Sequence, residues 1–349
     1  MIRFDNDYTE GAHERILQRL IETNEEQTAG YGTDEHCEVA REYIRRECGA
    51  EDADIHFLVG GTQTNTTIIA SILRPHQGAI SAVSGHIASH ETGAIEAAGH
   101  KVLTLPSEDG KISAAQVKDL YDAHFTDDSQ VHMVQPGLVY ISNPTEFGTT
   151  YNKAELEALR DVCRECKLPL IMDGARLGYG LASADNNLTL ADYARLCDVF
   201  YIGGTKIGAM FGEAVVIINE SLKKDFRYFI KQRGGLLAKG RLLGIQFETL
   251  FEDGLYYEVS KHAVEMASII REAFIENGFT LRYDSPTNQQ FPILPDYVVT
   301  ELSKKYSFTH WEKFDATHST IRICTSWATK REHVDMLIND LHHICVTSS

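Results

Sequence analysis

The run Leu168-Pro169-Leu170-Ile171-Met172-Asp173-Gly174-Ala175-Arg176 decides how this chain is read. Its apolar residues have the length and composition of a buried strand, and the strand closes on a carboxylate. A carboxylate behind so apolar a run is costly to bury unless it meets a cation or a hydrogen-bond donor. Asp173 and Arg176 can meet that need as a surface pair, and a helix cap is a second plain outcome. The third outcome is a ligand contact, because open parallel sheets bind ligands beyond the carboxyl ends of their strands.

Working outward, similar apolar or β-branched runs recur at 54–59, 78–83, 100–105, 137–142 and 198–203. Helical patterns separate them, among them TIIASIL at 67–73 and KAELEALRDVCREC at 153–166. Strands alternating with helices predict an α/β fold, with a mostly parallel central sheet and helices on both faces. Ahead of this core, 13–27 and 36–48 read as helices. Beyond residue 245 the pattern changes to a long helix at 262–278, short strands around HSTIRICTS, and a last helix at 332–345. The expected organisation is an N-terminal arm, 1–20, packing with the small domain; a large domain, 21–245; and a smaller C-terminal α+β domain, 246–349.

A length of 349 residues suits one large and one smaller domain. Fifty acidic against 33 basic residues give a net charge of −17, which repels phosphate backbones and anionic lipid, so neither nucleic acid nor membrane is an expected partner. The N-terminal sequence lacks the pattern of a secretory signal, and a cytoplasmic setting is expected. Seven scattered cysteines do not form a disulfide framework. Cys163 and Cys166 make a C-x-x-C inside a helical pattern with no second pair, so packing is expected there and no metal.

Two further strand ends carry polar groups. At Val59-Gly60-Gly61-Thr62-Gln63-Thr64-Asn65 a strand runs through glycines into a helix starting near Thr64. Free N–H groups at a helix start attract anions, although such a turn is often only a connection. At Tyr201-Ile202-Gly203-Gly204-Thr205-Lys206 a lysine follows a strand, with glycines that leave room for a planar ligand. A lysine amine that can be desolvated serves as a Schiff-base nucleophile; a solvated loop lysine is the plain alternative. Glycine-rich helix start, strand-end aspartate and loop lysine, in that order, are what pyridoxal phosphate requires.

With Tyr31-Gly32-Thr33-Asp34, Gly61-Thr62-Gln63-Thr64-Asn65, Ser84-Gly85-His86, Asp173-Gly174-Ala175-Arg176 and Gly204-Thr205-Lys206, the chain resembles fold-type I pyridoxal-phosphate enzymes along nearly its whole length. Within them it resembles the threonine aldolase and β-eliminating lyase family, nearest its threonine and phenylserine aldolase-like members. The resemblance implies that Lys206 holds the aldehyde of pyridoxal 5'-phosphate, Asp173 keeps its ring nitrogen protonated, and His86 stacks on the ring. It implies a phosphate cradle at Gly61, Thr62 and Gln63. Arg176 and Arg322 would receive the substrate carboxylate, with Tyr31 also at the substrate and Lys239 reaching a neighbour's phosphate. A homodimer or homotetramer with shared active sites follows.

Two departures stand out. Where the family's arm reads R-S-D, this chain has Asp5-Asn6-Asp7, which puts Asn6 in the serine's place at the substrate carboxylate. Where low-specificity members carry a histidine after the strand near 142, this chain offers Glu146. The implied reaction cleaves a 3-hydroxy-L-amino acid to glycine and an aldehyde, with His86, Glu146 or a water they position taking the hydroxyl proton. The alternatives are β-elimination from an aromatic or sulfur amino acid, and a non-catalytic binding protein that keeps the fold.

Overall fold

The computed structural model describes residues 1–347. Seven strands form the central sheet, in spatial order Asp54–Leu58, Glu213–Ile217, Val199–Gly203, Leu170–Asp173, Gln135–Ser142, Gln77–Ala82 and Lys101–Leu105. Six run parallel, and Glu213–Ile217 lies antiparallel to both of its neighbours. The six parallel strands are the six apolar runs of the sequence. The seventh is an addition to that reading: Gly204–Gly212 turns the chain straight back onto Val199–Gly203, with no crossover helix.

Side-chain alternation along the strands explains why helices cover both faces. Val139, Ile141, Leu170, Met172, Phe200 and Ile202 belong to one buried cluster. Leu138, Tyr140, Ile171, Val199 and Tyr201, one residue out of step, belong to another. Asp173 therefore falls on the Ile171 side, with Tyr140 and Tyr201. Neighbouring helices begin with polar caps: Asn152 and Glu155 form a capping box at the start of Lys153–Cys166. The first helix, Glu14–Glu22, ends five residues before its expected limit, because Asn24-Glu25-Glu26-Gln27 offers no apolar position to bury. The helix after Gly60 starts at Gly61, not Thr64.

A third cluster, including Met266, Phe274, Leu294, Val299, Ile321 and Leu337, forms the core under the antiparallel strands Ile293–Pro295, His318–Cys324 and Thr309–Lys313. The helix Arg241–Glu252 continues unbroken past position 245. The next helix, Leu255–Glu276, packs its first half in the large core and its second in the small one. The arm also serves both: Ile2–Arg3 pairs with Tyr306–Ser307 and Phe4 joins the small core, while Ala12 and Ile16 lie in the large core. Cys37, Cys48, Cys163, Cys166, Cys197 and Cys324 are free thiols, and Cys163 and Cys166 are buried core residues. Among the described residues no helix is long and apolar enough to cross a membrane.

Candidate active site

Where the parallel strands end, a cavity of about 300 Å³ is lined by Gly61, Thr62, His86, Asp173, Arg176 and Lys206, among others. Backbone packing brings the aspartate and lysine loops together. A Cβ on Gly174 would collide with the Tyr201 carbonyl oxygen, and one on Gly203 with that of Ala175. Gly204 is closed in the same way by Gly212 and Phe247. The glycines beside Lys206 thus admit neighbouring backbone, which corrects the expectation that they make room for a planar ligand.

Asp173 is buried, with Oδ2 accepting from the Tyr140 hydroxyl and, at 3.1 Å, from Asn65 Nδ2, and Oδ1 accepting from the Ala175 N–H at 3.0 Å. Burial raises its pKa, but the His86 charge and the donors Tyr140, Tyr201 and Ala175 outweigh it, so the carboxyl stays below its ordinary value and ionised. The Lys206 amine takes no hydrogen bond from the described residues. Burial, reinforced by the Arg176 charge, pulls its pKa down against Asp7, Asp173 and Glu213, which enlarges the nucleophilic neutral fraction.

The helix Gly61–Ile72 makes its first backbone bond from Thr64 N–H to Gly60 O at 3.0 Å, leaving the N–H groups of Gly61, Thr62 and Gln63 for another partner. Gly61 and Thr62 line the cavity. The Gln63 side chain instead braces the turn, accepting from the Val59 N–H at 3.1 Å and donating to Arg233 O at 3.1 Å. Unused N–H groups, an ionised aspartate and an unpartnered lysine on one cavity fit the phosphate, ring nitrogen and aldehyde of pyridoxal phosphate.

His86 Nδ1 lies 2.7 Å from Glu91 Oε1, and its backbone N–H donates to Glu146 Oε1 at 2.8 Å. Burial lowers the imidazole pKa, yet the Glu91 bond and the Asp173 and Glu91 charges raise it more. Glu146 Oε1 also accepts from the Ser142 hydroxyl at 2.7 Å, while Oε2 takes no hydrogen bond from the described residues. Burial, with the Asp173 charge, raises the Glu146 carboxyl.

The arginines depart further from expectation. Arg176 gives Nε and Nη2 to Asp7, at 2.7 and 3.0 Å, so its fork is engaged within the chain and Nη1 remains. Arg322 is half-buried over the Trp311 ring, with Nη2 donating to Asp5 O at 3.1 Å and to Thr309 Oγ1 at 3.2 Å. Burial and the charges of His86, Arg322 and Arg176 lower the pKa of His90, and of the two arginines Arg176 lines the cavity.

Asn6 does not reach the cavity: its amide donates to Asp5 at 3.0 Å and its Oδ1 accepts from Tyr8 N–H at 3.0 Å, the local turn bonding that Asn favours. Asp7, one residue on, enters the site instead. Tyr31 and Lys239 are exposed residues away from this cavity, with Tyr31 N–H bonded to Ala238 O and its ring under Lys231. The sequence reading missed Asp7, Glu91, Tyr140, Tyr201 and Glu213. Glu213 opens the unread strand, bonded to Thr205 Oγ1 at 2.9 Å, and burial lifts its pKa to about 8 against the Lys206 charge. A carboxylate opening the apolar run Glu213-Ala214-Val215-Val216-Ile217 was a signal of the same kind as Asp173.

The beta-eliminating lyase family model matches residues 6–291. A low specificity L-threonine aldolase of Pseudomonas aeruginosa is 28% identical over 346 residues, covering 97% of this chain and 96% of that one. A solved threonine aldolase structure from Leishmania major superposes with a TM-score of 0.96 at 46% identity, covering 99% of this chain and 100% of that one. An aspartate aminotransferase of Thermus thermophilus shares the fold, with a TM-score of 0.73 at 15% identity, covering 99% of this chain and 91% of that one. The chain belongs to the beta-eliminating lyase family, with the threonine aldolases, and is a pyridoxal-phosphate-dependent lyase.

Proposed function

We propose that this member of the beta-eliminating lyase family cleaves a 3-hydroxy-L-amino acid of the threonine, allo-threonine or phenylserine type to glycine and an aldehyde. The observation that carries this reading is Glu146, a carboxylate with a free Oε2, beside His86 on the cavity shared by Lys206 and Asp173. Relatives named as low specificity L-threonine aldolases support it.

Bound pyridoxal phosphate supplies an electron sink for the pair released when Cα–Cβ breaks. Gly61 and Thr62 would hold its phosphate by their N–H groups and Lys206 its aldehyde, and Asp173 would maintain the proton on its ring nitrogen. Arg322 and the free Nη1 of Arg176 would receive the substrate carboxylate and so fix the orientation of the substrate in the cavity. Glu146, its carboxyl raised above its ordinary value by burial, takes the β-hydroxyl proton, a service typically worth about 10²–10⁴-fold. The aldehyde then leaves, and a proton returned to Cα completes glycine.

Threonine, allo-threonine, phenylserine, serine, tryptophan and cysteine, each assayed for glycine plus aldehyde and for ammonia plus keto acid, test the reading. Glycine from the hydroxy amino acids is expected; ammonia without glycine would replace the assignment with β-elimination. We also propose a cytoplasmic homodimer or homotetramer. The thiols of Cys37, Cys48, Cys163, Cys166, Cys197 and Cys324 suit a reducing compartment, and the exposure of Tyr31 and Lys239 away from this cavity supports a role for them at a second copy's site. Full activity from a monomer in light scattering would exclude the shared site.

A further inference from the structure

The segment after the strand Gln77–Ala82 carries His86, at the start of the short helix His86–Ser89, and, five residues later, Glu91. The Glu91 side chain is sealed from solvent, its Oε2 takes no hydrogen bond from the described residues, and the contacts that hold the carboxylate all fall on Oε1. Its Oε1 has two partners, His86 Nδ1 at 2.7 Å and Asn65 Nδ2 at 2.7 Å. That same Asn65 nitrogen stands 3.1 Å from Asp173 Oδ2. An amide nitrogen has two hydrogens, and bridging two carboxylates uses both.

We propose that Glu91 is a positioning residue, which fixes His86 with Nδ1 as the protonated ring nitrogen and, through Asn65, holds Asp173 in place at the floor of the cavity. An ionised carboxylate only accepts, so the hydrogen in the Glu91–His86 contact belongs to Nδ1. Nε2 is left as the ring nitrogen whose protonation changes. One buried carboxylate thereby sets both the imidazole expected against the cofactor ring and the aspartate expected under the ring nitrogen. Around His86, Glu91 and Asp173 favour its charged form, Lys206 opposes it, His90 lies beside it with ring centroids 5.9 Å apart, and Glu146 accepts its backbone N–H. Among these, Glu91 alone bonds to the ring.

The inference rests on the proposed reaction only for what His86 serves. Its test is nitrogen NMR of holoenzyme labelled in histidine, with the His86 signal identified by its loss in His86→Asn. In the unsubstituted protein the neutral ring should show a protonated Nδ1 and a bare Nε2. In Glu91→Gln the titration midpoint of His86 should fall, since the charge bonded to its ring is gone, and Glu91→Asp should restore much of it. Turnover in Glu91→Gln should drop roughly 10- to 100-fold, the range for groups that orient a functional histidine, with the visible band of bound cofactor retained. An Nε2-protonated neutral ring in the unsubstituted protein overturns the proposal, and that measurement decides the matter if Glu91→Gln does not fold. A folded Glu91→Gln with an unmoved midpoint overturns it equally. Should the substrate panel release no glycine while the Nδ1 proton is found, the reaction assignment falls and the positioning role stands.

Discussion

At position 173 an asparagine keeps the shape of the side chain and removes its charge. Asp173→Asn is expected to fold and keep some cofactor, while Cα–Cβ cleavage falls on the order of 10²-fold or more, the scale of losing one preorganised electrostatic contact in a closed site. Near-normal turnover with cofactor bound would remove the electron-sink role. Arg322→Lys separates carboxylate binding from chemistry: a point charge replaces a planar fork, so KM should rise and kcat/KM fall about 10- to 100-fold with the cofactor spectrum unchanged. Unaltered steady-state kinetics would leave Arg176 Nη1 as the named receptor. Asp173 and Lys206 were legible because each closes an apolar strand and so betrays itself locally. Asp7 was not, since its meaning lies in Arg176, 169 residues away, and no spacing rule spans that distance.

Between elements, the deciding contact is the backbone-to-backbone approach at the ends of Leu170–Asp173 and Val199–Gly203. Neither Gly174 nor Gly203 has space for a methyl group, and the obstacles are carbonyl oxygens, which cannot swing aside as a side chain can. Gly174→Ala should therefore destabilise by about 1–3 kcal/mol or more, as overpacking does, and displace Asp173 from Tyr140. A denaturant midpoint within error of the unsubstituted protein would contradict this packing account. The six parallel strands were readable because burial on both faces demands unbroken apolar runs. Glu213–Ile217 escaped because its first residue is charged and the preceding loop has no helical period, although its four remaining residues carry the same apolar signal.

Across the whole molecule, the arm ties the small core to the catalytic sheet through Asp7. The Asp7–Arg176 pair is almost closed to solvent, at 0% and 13% side-chain exposure. Removing one partner of such a pair typically costs about 3–5 kcal/mol, and Asp7→Ala should lose stability on that scale in equilibrium unfolding. The pair also sets an acid limit. Burial raises the Asp7 carboxyl, but Arg176 and Lys206 bring it from 3.8 down to about 2. Its stabilisation is complete above pH 3.8 and is lost as pH falls through about 2, so the acid-unfolding profile of the alanine variant should flatten across that window. The same tie imposes an order on synthesis. At about 5–20 residues per second, Ile2, Phe4 and Asp7 leave the ribosome well before Arg176 and then Tyr306, which must follow before the arm has a place to dock. Arm residues are made before their partners and seated after them, and a nascent chain completes the Asp7–Arg176 side of the cavity only when the small core closes on the arm.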